Sequence, residues 1–345
     1  MNQTPKVSML IPIYGVEKFI ERCAVSLFEQ TYQNIEYIFV NDCTKDNSVV
    51  ILKNVVERYP QRKLQVRIIE HEKNKGLAGA RNTAVAAATG EFVMHVDSDD
   101  YVDKDIVKKT ILSQKKVDAD IVIVDFKKAY PTFDVEVRHP VFSNTSLYCI
   151  SVLERNIPNT IWGKLIRRRL YVDNSVCCLE GNNQGEDYQV LPKLYYYAKN
   201  IANLSQCLYY YDCQNEGAYS NSFSIVQYVQ NWNSMNCIKQ FFHDKDVVYR
   251  SSVDKGRLRQ TADDFIISAK TNGEISKTYY DGACNILKSI SRDLWNTVPL
   301  AKRVIFYLSS NYKIMAKYIL MFRKIHHFAL KIKSIKYDRN STTVV

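Results

Sequence analysis

The chain has 345 residues, 46% of them hydrophobic, enough for one large domain or two smaller ones. Its 47 basic against 36 acidic residues leave +11 and a pI near 9.0, a balance that permits nucleic acid, anionic lipid or phosphorylated substrates without choosing among them. Nine scattered cysteines with no Cys-x-x-Cys pair exclude metal-type spacing and read as free thiols in a reducing compartment, and no stretch approaches the ~20 uninterrupted apolar residues of a membrane span.

Val7-Ser8-Met9-Leu10-Ile11-Pro12 reads as a buried strand ended by its proline, too short a run for a signal peptide, so the expected location is cytosolic. Tyr14-Gly15 makes the turn. Phe19, Ile20, Cys23, Leu27 and Phe28 recur at helical spacing against charged Glu17, Lys18, Glu21 and Arg22, which predicts a helix over Val16–Gln30. Ile35–Val40 is a second strand, ending in Asn41-Asp42. Asp46-Asn47-Ser48 starts a helix over Val49–Tyr59 that Pro60 stops. Val66–Ile69 is a third strand, and the Ala-rich run Ala78–Ala88 a third helix, ended by Gly90. Phe92–Val96 is a fourth strand, and it runs straight into Asp97-Ser98-Asp99-Asp100.

Strands alternating with helices argue for a parallel sheet wound with right-handed crossovers. Such sheets bind ligands at their carboxyl edge. Asp97 and Asp99 at that edge are two hard oxygen ligands, suited to a divalent cation that takes its remaining ligands from water and a diphosphate. A merely solvated acidic turn is the plain alternative. No Gly-x-Gly-x-x-Gly follows the first strand, so the dinucleotide fingerprint is missing. Asp42 suits hydrogen bonds from a nucleobase or ribose, or the capping of the helix after it. Lys75 and Arg81 flank Gly76-Leu77-Ala78-Gly79 and suit phosphates, with a solvated loop charge as the alternative for Lys75.

Asp103–Val124 predicts a helix and the strand Ile121–Val124, and residues 127–150 read as an irregular inserted connection. Trp162 is a core or a site residue, ahead of the basic run Arg167 to Arg169. Gly185-Glu186-Asp187 precedes a helix marked by Tyr188, Val190, Leu191, Leu194, Tyr195 and Ala198. Carboxylates there are favoured by the helix dipole and stay ionised, as a general base must. Ile225–Phe242 and Asp263–Ile290 look helical. Beyond Pro299 ten basic residues (Lys302, Arg303, Lys313, Lys317, Arg323, Lys324, Lys331, Lys333, Lys336 and Arg339) face the single acid Asp338. Val304–Leu308 and Tyr318–Phe322 interleave with them, which reads as contact with anionic lipid or as a helix packed on the domain. His326-His327 belongs to that surface, and Asp338–Val345 reads as disordered.

Pro12-Ile13-Tyr14, Val40-Asn41-Asp42 with Asp46 and Ser48, Asn74-Lys75-Gly76 leading to Ala80-Arg81-Asn82, Gly90-Glu91-Phe92 and Asp97-Ser98-Asp99-Asp100 occur in one order and spacing. Together they resemble the glycosyltransferase family 2 catalytic domain over about residues 5–220. The resemblance implies an α/β fold of GT-A type with a mostly parallel wound sheet, followed by a helical C-terminal region. It divides the chain into a catalytic domain over 1–220, a helical extension over 221–298 and a basic tail over 299–345. It implies a nucleotide-sugar donor held by Pro12, Tyr14, Glu17, Asp42, Lys75, Arg81, Asp97 and Ser98, with Asp42 at the base and Asp97 on the ribose side. Mn²⁺ or Mg²⁺ would sit on Asp99 and Asp97, and Asp187, or failing it Glu186, would be the general base. Asp100, Trp162 and Lys164 would lie on the acceptor side. Two positions depart from the family pattern: Gly15 stands where Asn is frequent, and Cys43 where Gly is common.

The reading is an inverting, metal-dependent transfer from a UDP-sugar to a glycan or lipid-linked acceptor in cell-surface or capsular polysaccharide synthesis, at the inner face of the membrane. The alternative is a sugar-nucleotide-forming nucleotidyltransferase, which would not need Asp187. Nucleic-acid binding is suggested by the charge alone and has no supporting motif.

Overall fold

The computed structural model describes residues 4–215, 223–322 and 324. The chain divides into two compact units, Met1–Ser222 with Gln230–Arg250, and Phe223–Val229 with Ser251–Val345.

The first unit is built on a nine-stranded mixed sheet. Its N-terminal half is parallel: β1 (Val7–Ile13) lies between β2 (Ile35–Asn41) and β4 (Phe92–His95), and β3 (Val66–Glu70) pairs with the far side of β2. The helices α1 (Ile20–Phe28), α2 (Ser48–Arg58) and α3 (Gly76–Ala87) make the crossovers. Beyond β4 the sheet turns antiparallel through β8 (Lys164–Arg167), then continues with β6 (Ile121–Ala129), β9 (Ile201–Asp212) and the short β5 (Tyr101–Val102). Val7, Met9, Ile11 and Ile13 of β1 point into a core shared with α1, α2 and α4 (Ile106–Val117), and the intervening residues face the other way. On β1 and β2 packs α3, whose small Ala78, Gly79, Ala80 and Ala84 permit close approach.

Pro12 does not end β1. The strand runs on to Ile13, paired there with Asn41 alone. In this register the N–H that Pro12 lacks would face β4, just past the last bond between the two strands, from the Val96 N–H to the Leu10 carbonyl at 3.0 Å. The two strands part at that point. Residues 127–150 are more regular than expected: β6 continues into a hairpin with β7 (Asp134–Val137), and α5 (Thr145–Leu153) follows, capped by the Asn144 side chain.

The stretch Ile225–Phe242 holds α8 (Ile225–Phe241), while the single helix expected over Asp263–Ile290 is two. Helix α9 (Val247–Ser268) ends before Asn272-Gly273, where Gly273 takes φ +61°, and α10 (Gly273–Lys288) begins there. In the second unit Leu258, Ala262 and Phe265 pack with Ala283 and Leu287 of α10 and with Trp295. Ile305 and Phe306 of α11 (Leu300–Leu308) and Met315 and Ile319 of the next helical stretch join this core. These tail residues therefore serve the protein interior, whereas Tyr307, Ile314, Met321 and Phe322 stay exposed. No helix among the described residues is long and apolar enough to cross a membrane. Arg323, the basic residues from Lys331 onward, His326-His327 and the 338–345 segment lie outside the described residues.

Gly90 enters β4 where a side chain has no room. A Cβ there would lie 2.7 Å from Ser8 Oγ and 2.8 Å from the Lys6 carbonyl and the Ser8 nitrogen. Because two of those atoms are backbone, Gly90→Ala is expected to destabilise the first unit by about 1–3 kcal/mol, read as a lower denaturation midpoint. An unchanged midpoint would show that the β1–β4 edge yields freely.

Candidate active site

The parting of β1 and β4 leaves Asp97-Ser98-Asp99-Asp100 as a turn at the carboxyl edge, closed by the Asp100 N–H on the Asp97 carbonyl at 3.0 Å. Its carboxylates go to different places. Asp97 reaches Arg81 of α3, whose Nη2 stands 3.0 Å from Asp97 Oδ1, 3.5 Å from Glu186 Oε1 and 3.7 Å from Asp187 Oδ1. One guanidinium thus gathers three carboxylates from two parts of the chain. Arg81 is 4% exposed, and its Nε and Nη1 have no hydrogen-bond partner among the described residues. Burial works against its charge, but Asp97, Asp187 and Glu186 more than offset it and hold Arg81 above its ordinary pKa.

Asp99 accepts from Asn215 Nδ2 at 2.9 Å, and its carbonyl accepts from Arg22 at 3.1 Å. Burial and then the charge of Asp97 raise its pKa. Asp99, crowded by Asp97 and without an ion-pair partner among the described residues, suits a cation, and two side-chain ligands with a diphosphate are what Mg²⁺ or Mn²⁺ takes. Among the described residues no group of three or more His, Cys, Asp or Glu side chains is arranged to hold a metal by itself. The residues fit a metal that arrives with its diphosphate.

Glu186 and Asp187 open α7 (Glu186–Tyr197) behind Gly185, which takes φ +73°. The helix N-terminus does not keep the pair at ordinary carboxylate values. Burial, followed by the charge of Asp187, pushes Glu186 up to about 8. Burial also raises Asp187, against the opposing pull of Arg81, the Ile161 N–H and Lys164. Asp187 Oδ2 accepts the Ile161 N–H at 3.1 Å, while Oδ1 accepts no hydrogen bond among the described residues. Both acids line a cavity of about 550 Å³ that also touches Arg81 and Val85 of α3, His95 of β4 and Tyr171 of α6 (Arg169–Val172). His95 Nδ1 is another buried atom there without a hydrogen-bond partner, and its Nε2 meets Tyr171 Oη at 3.1 Å.

Asp42 sits at the edge but is already engaged. Its two carboxylate oxygens accept the Lys75 and Gly76 N–H groups, each at 2.7 Å, and His71 Nδ1 lies 2.7 Å from Oδ1. It therefore clamps the N-terminus of α3. The start of α2 is served by Asp46, which accepts the Ser48 N–H at 3.1 Å, and by Glu17, which accepts the Asn47 N–H at 3.1 Å. Ser98 and Pro12 are buried, whereas the Tyr14 side chain is exposed and Lys75 half-buried along the same edge. Gly15 takes φ +68° and Cys43 φ +58°, so the backbone demands the left-handed region at both family departures. Glycine and asparagine meet that demand easily, and Cys43 meets it with its thiol on the His71 carbonyl at 2.9 Å.

The acceptor-side expectation does not match the burial of its three residues. Asp100 is fully buried, accepting from Tyr209 Oη at 2.6 Å and from the Asp212 N–H at 2.8 Å. Trp162 stacks on Tyr209 with ring centroids 4.4 Å apart. Lys164 is fully buried, and burial pulls its pKa down to about 7. The sequence reading also passed over His71, Asn215 and Tyr209. Tyr209 takes the Asp97 N–H at 3.1 Å while donating to Asp100, and a lone tyrosine in a tyrosine-rich strand carries no pattern that would single it out.

The sequence model of the Glycosyl transferase family 2 domain matches residues 8–178. The uncharacterized glycosyltransferase EpsJ of Bacillus subtilis is 32% identical over 214 residues, 60% of this chain and 61% of that protein. The poly(ribitol-phosphate) beta-N-acetylglucosaminyltransferase TarS of Staphylococcus aureus is 30% identical over 220 residues, 63% of this chain and 37% of that protein. The chain thus spans about three fifths of EpsJ and little more than a third of TarS. Among solved structures, S. aureus TarS 1–349 in complex with UDP-GlcNAc superposes with a TM-score of 0.71 at 21% identity, covering 92% of each chain. The mannosyltransferase PcManGT from Pyrobaculum calidifontis, in complex with GDP-Man and Mn²⁺, gives 0.53 at 15% identity over 92% of this chain and 87% of that one. The mixed sheet is that of the GT-A fold, and the chain carries a glycosyltransferase family 2 domain over residues 8–178.

Proposed function

We propose that the protein transfers a sugar from a nucleoside diphosphate, UDP in the first instance, to a hydroxyl of a cell-surface glycan or its lipid-linked precursor, with inversion at the anomeric carbon. The observation that carries this reading is the convergence of Asp97, Glu186 and Asp187 on the buried Arg81 at the rim of one cavity. The UDP-GlcNAc of the TarS complex supports the choice of nucleotide, and the polymer-directed activity in that protein's name supports the acceptor class.

In this reading Asp187 Oδ1, the oxygen left open, takes the proton of the acceptor hydroxyl as that oxygen bonds to the anomeric carbon. The bond from that carbon to the diphosphate oxygen breaks on the opposite face, and the nucleoside diphosphate leaves with the electron pair. Asp187 Oδ2, tied to the Ile161 N–H, fixes the direction of the base. Glu186, whose pKa burial raises, is the acid placed to donate a hydrogen bond to a sugar hydroxyl, and Arg81 Nε and Nη1, without partners among the described residues, donate to its neighbours. A divalent metal on Asp97 and Asp99 would neutralise charge on the departing diphosphate. The apolar wall of Val85, Val172 and Val190 keeps bulk water from competing with the acceptor.

Calorimetric titration with UDP is expected to show binding that needs Mn²⁺ and is abolished by EDTA. Asp99→Ala should lose this binding. Asp187→Asn should keep it while transfer from a UDP-sugar falls by about 10²–10⁴-fold. Metal-independent UDP binding would remove the metal from the proposal, and wild-type transfer by Asp187→Asn would remove the base.

Peripheral contact with anionic lipid is proposed for the face that carries the exposed Tyr307, Ile314, Met321 and Phe322 beside Lys313 and Lys317. Co-sedimentation with phosphatidylserine vesicles should exceed that with phosphatidylcholine and fall as salt is raised. Equal sedimentation with both lipids would confine this face to a solvent-exposed role.

A further inference from the structure

Lys164 is the buried charge that the mechanism above leaves unused. It opens β8, is fully buried, and has no carboxylate within ion-pair distance among the described residues. Its ammonium instead donates to the Thr160 carbonyl at 2.5 Å, with Thr160 Oγ1 at 3.3 Å and the Trp162 carbonyl at 3.4 Å. The Thr160 carbonyl shares one peptide plane with the Ile161 N–H. In a trans peptide these two groups point in opposite directions. The plane held by Lys164 on its carbonyl side therefore aims its N–H the other way, and Asp187 Oδ2 accepts it at 3.1 Å. Gly163, at φ +66°, lets the chain curl back over the ammonium that follows it. A donor on the carbonyl also polarises the peptide and strengthens the N–H as a donor to a carboxylate.

We propose that Lys164 is a positioning residue for Asp187, orienting that carboxylate through the Thr160–Ile161 peptide so that its second oxygen stays without a hydrogen bond beside Arg81. The proposal rests on the reading of Asp187 as the general base, and it explains why a lysine near the site is buried away from any ligand. Lys164 does not touch substrate. Its effect is confined to the step in which Asp187 acts.

The test combines a double-mutant cycle with one spectroscopic readout. Lys164→Met keeps the length of the side chain without the charge. It is expected to lower kcat about 10- to 100-fold, as small misplacements of a reacting group do, while the Kd for UDP and the KM for donor change by less than about twofold. In the Asp187→Asn background the same substitution should cost nothing further, because its route to catalysis is gone. Carbonyl-¹³C threonine with ¹⁵N isoleucine leaves two labelled peptides, Thr110–Ile111 and Thr160–Ile161. The Ile161 amide proton should move upfield in both Lys164→Met and Asp187→Asn. If Lys164→Met fails to bind UDP, Lys164→Gln, which retains N–H donors, carries the same comparison. An additive loss in the double variant, or an Ile161 amide unmoved by substitution of Lys164, overturns the proposal. Full activity in Asp187→Asn alone would instead sink the base assignment, and the amide shift would still report whether Lys164 holds the peptide.

Discussion

The site depends on a guanidinium buried in a helix of small residues. Arg81 lies on α3, and Ala78, Gly79, Ala80 and Ala84 bring that helix close enough to the sheet for Arg81 to reach Asp97 at the end of β4. The same Nη2 meets Glu186 and Asp187 from the start of α7. Taking an arginine out of water costs several kcal/mol, and the charge of Asp97 foremost, with Asp187 and Glu186, offsets that cost. Buried ionic clusters are weak sources of net stability but expensive to break, since loss of one member strands the others. The arrangement is therefore better understood as a device that registers α7 against β4 than as a source of stability. Without it Asp97 and the Glu186-Asp187 pair, from distant parts of the chain, would have no reason to meet.

The carboxylates around Arg81 show which of two opposing effects prevails. A helix N-terminus favours a carboxylate by roughly 0.3–1 kcal/mol, up to about 2 in partly buried geometries. Burial can raise a carboxyl pKa by as much as about 3–5 units, at about 1.4 kcal/mol per unit. At Glu186 burial wins, and its pKa stands near 8. Asp187 is raised as well, but it receives the Ile161 N–H, and Lys164 lies across the same peptide from it. Neighbours in sequence thus acquire separate environments, which is what the proposed division of an acid that hydrogen-bonds a ligand and a base that accepts a proton calls for.

Much of this was legible in the sequence. Apolar runs of strand length, the Ala-rich helix and the acidic turn at Asp97 to Asp100 located the parallel half of the sheet and its functional edge. Periodicity marks which face of an element is apolar, so the helices and strands up to β4 fell within a few residues of their bounds. What it does not carry is the depth at which a polar residue ends up. Asp100, Lys164 and Trp162 sit in site-like motifs, yet they are interior: Tyr209 and Tyr211 of β9, nearly 50 residues beyond Trp162, cover Asp100 and Trp162, and Lys164 turns onto the Thr160 and Trp162 carbonyls. The β6–β7 hairpin escaped because residues 127–150 mix aromatic and charged side chains on a partly exposed edge, where alternation is weak. The amphipathic tail pattern was real, but amphipathicity is the same whether the apolar side meets lipid or a protein core. Ile305, Phe306, Met315 and Ile319 meet a core.

Backbone geometry accounts for the two departures from the family pattern and shows how the donor edge tolerates them. Gly15 and Cys43 both take positive φ, in loops that follow β1 and β2. At Gly15 the structural requirement is conformational, because its N–H is held by Thr44 Oγ1 at 2.9 Å and no atom lies within 4 Å of where a Cβ would stand. Asparagine and glycine are interchangeable under that requirement. Cys43 is strained by its Cβ, and the strain persists because the surrounding loop over-determines it. Its thiol meets the His71 carbonyl, while the His71 ring meets Asp42, the residue that clamps the start of α3. The loop that tolerates the departure is thus fastened to the helix that carries Arg81. Changes along the donor edge are permitted where they leave that fastening intact.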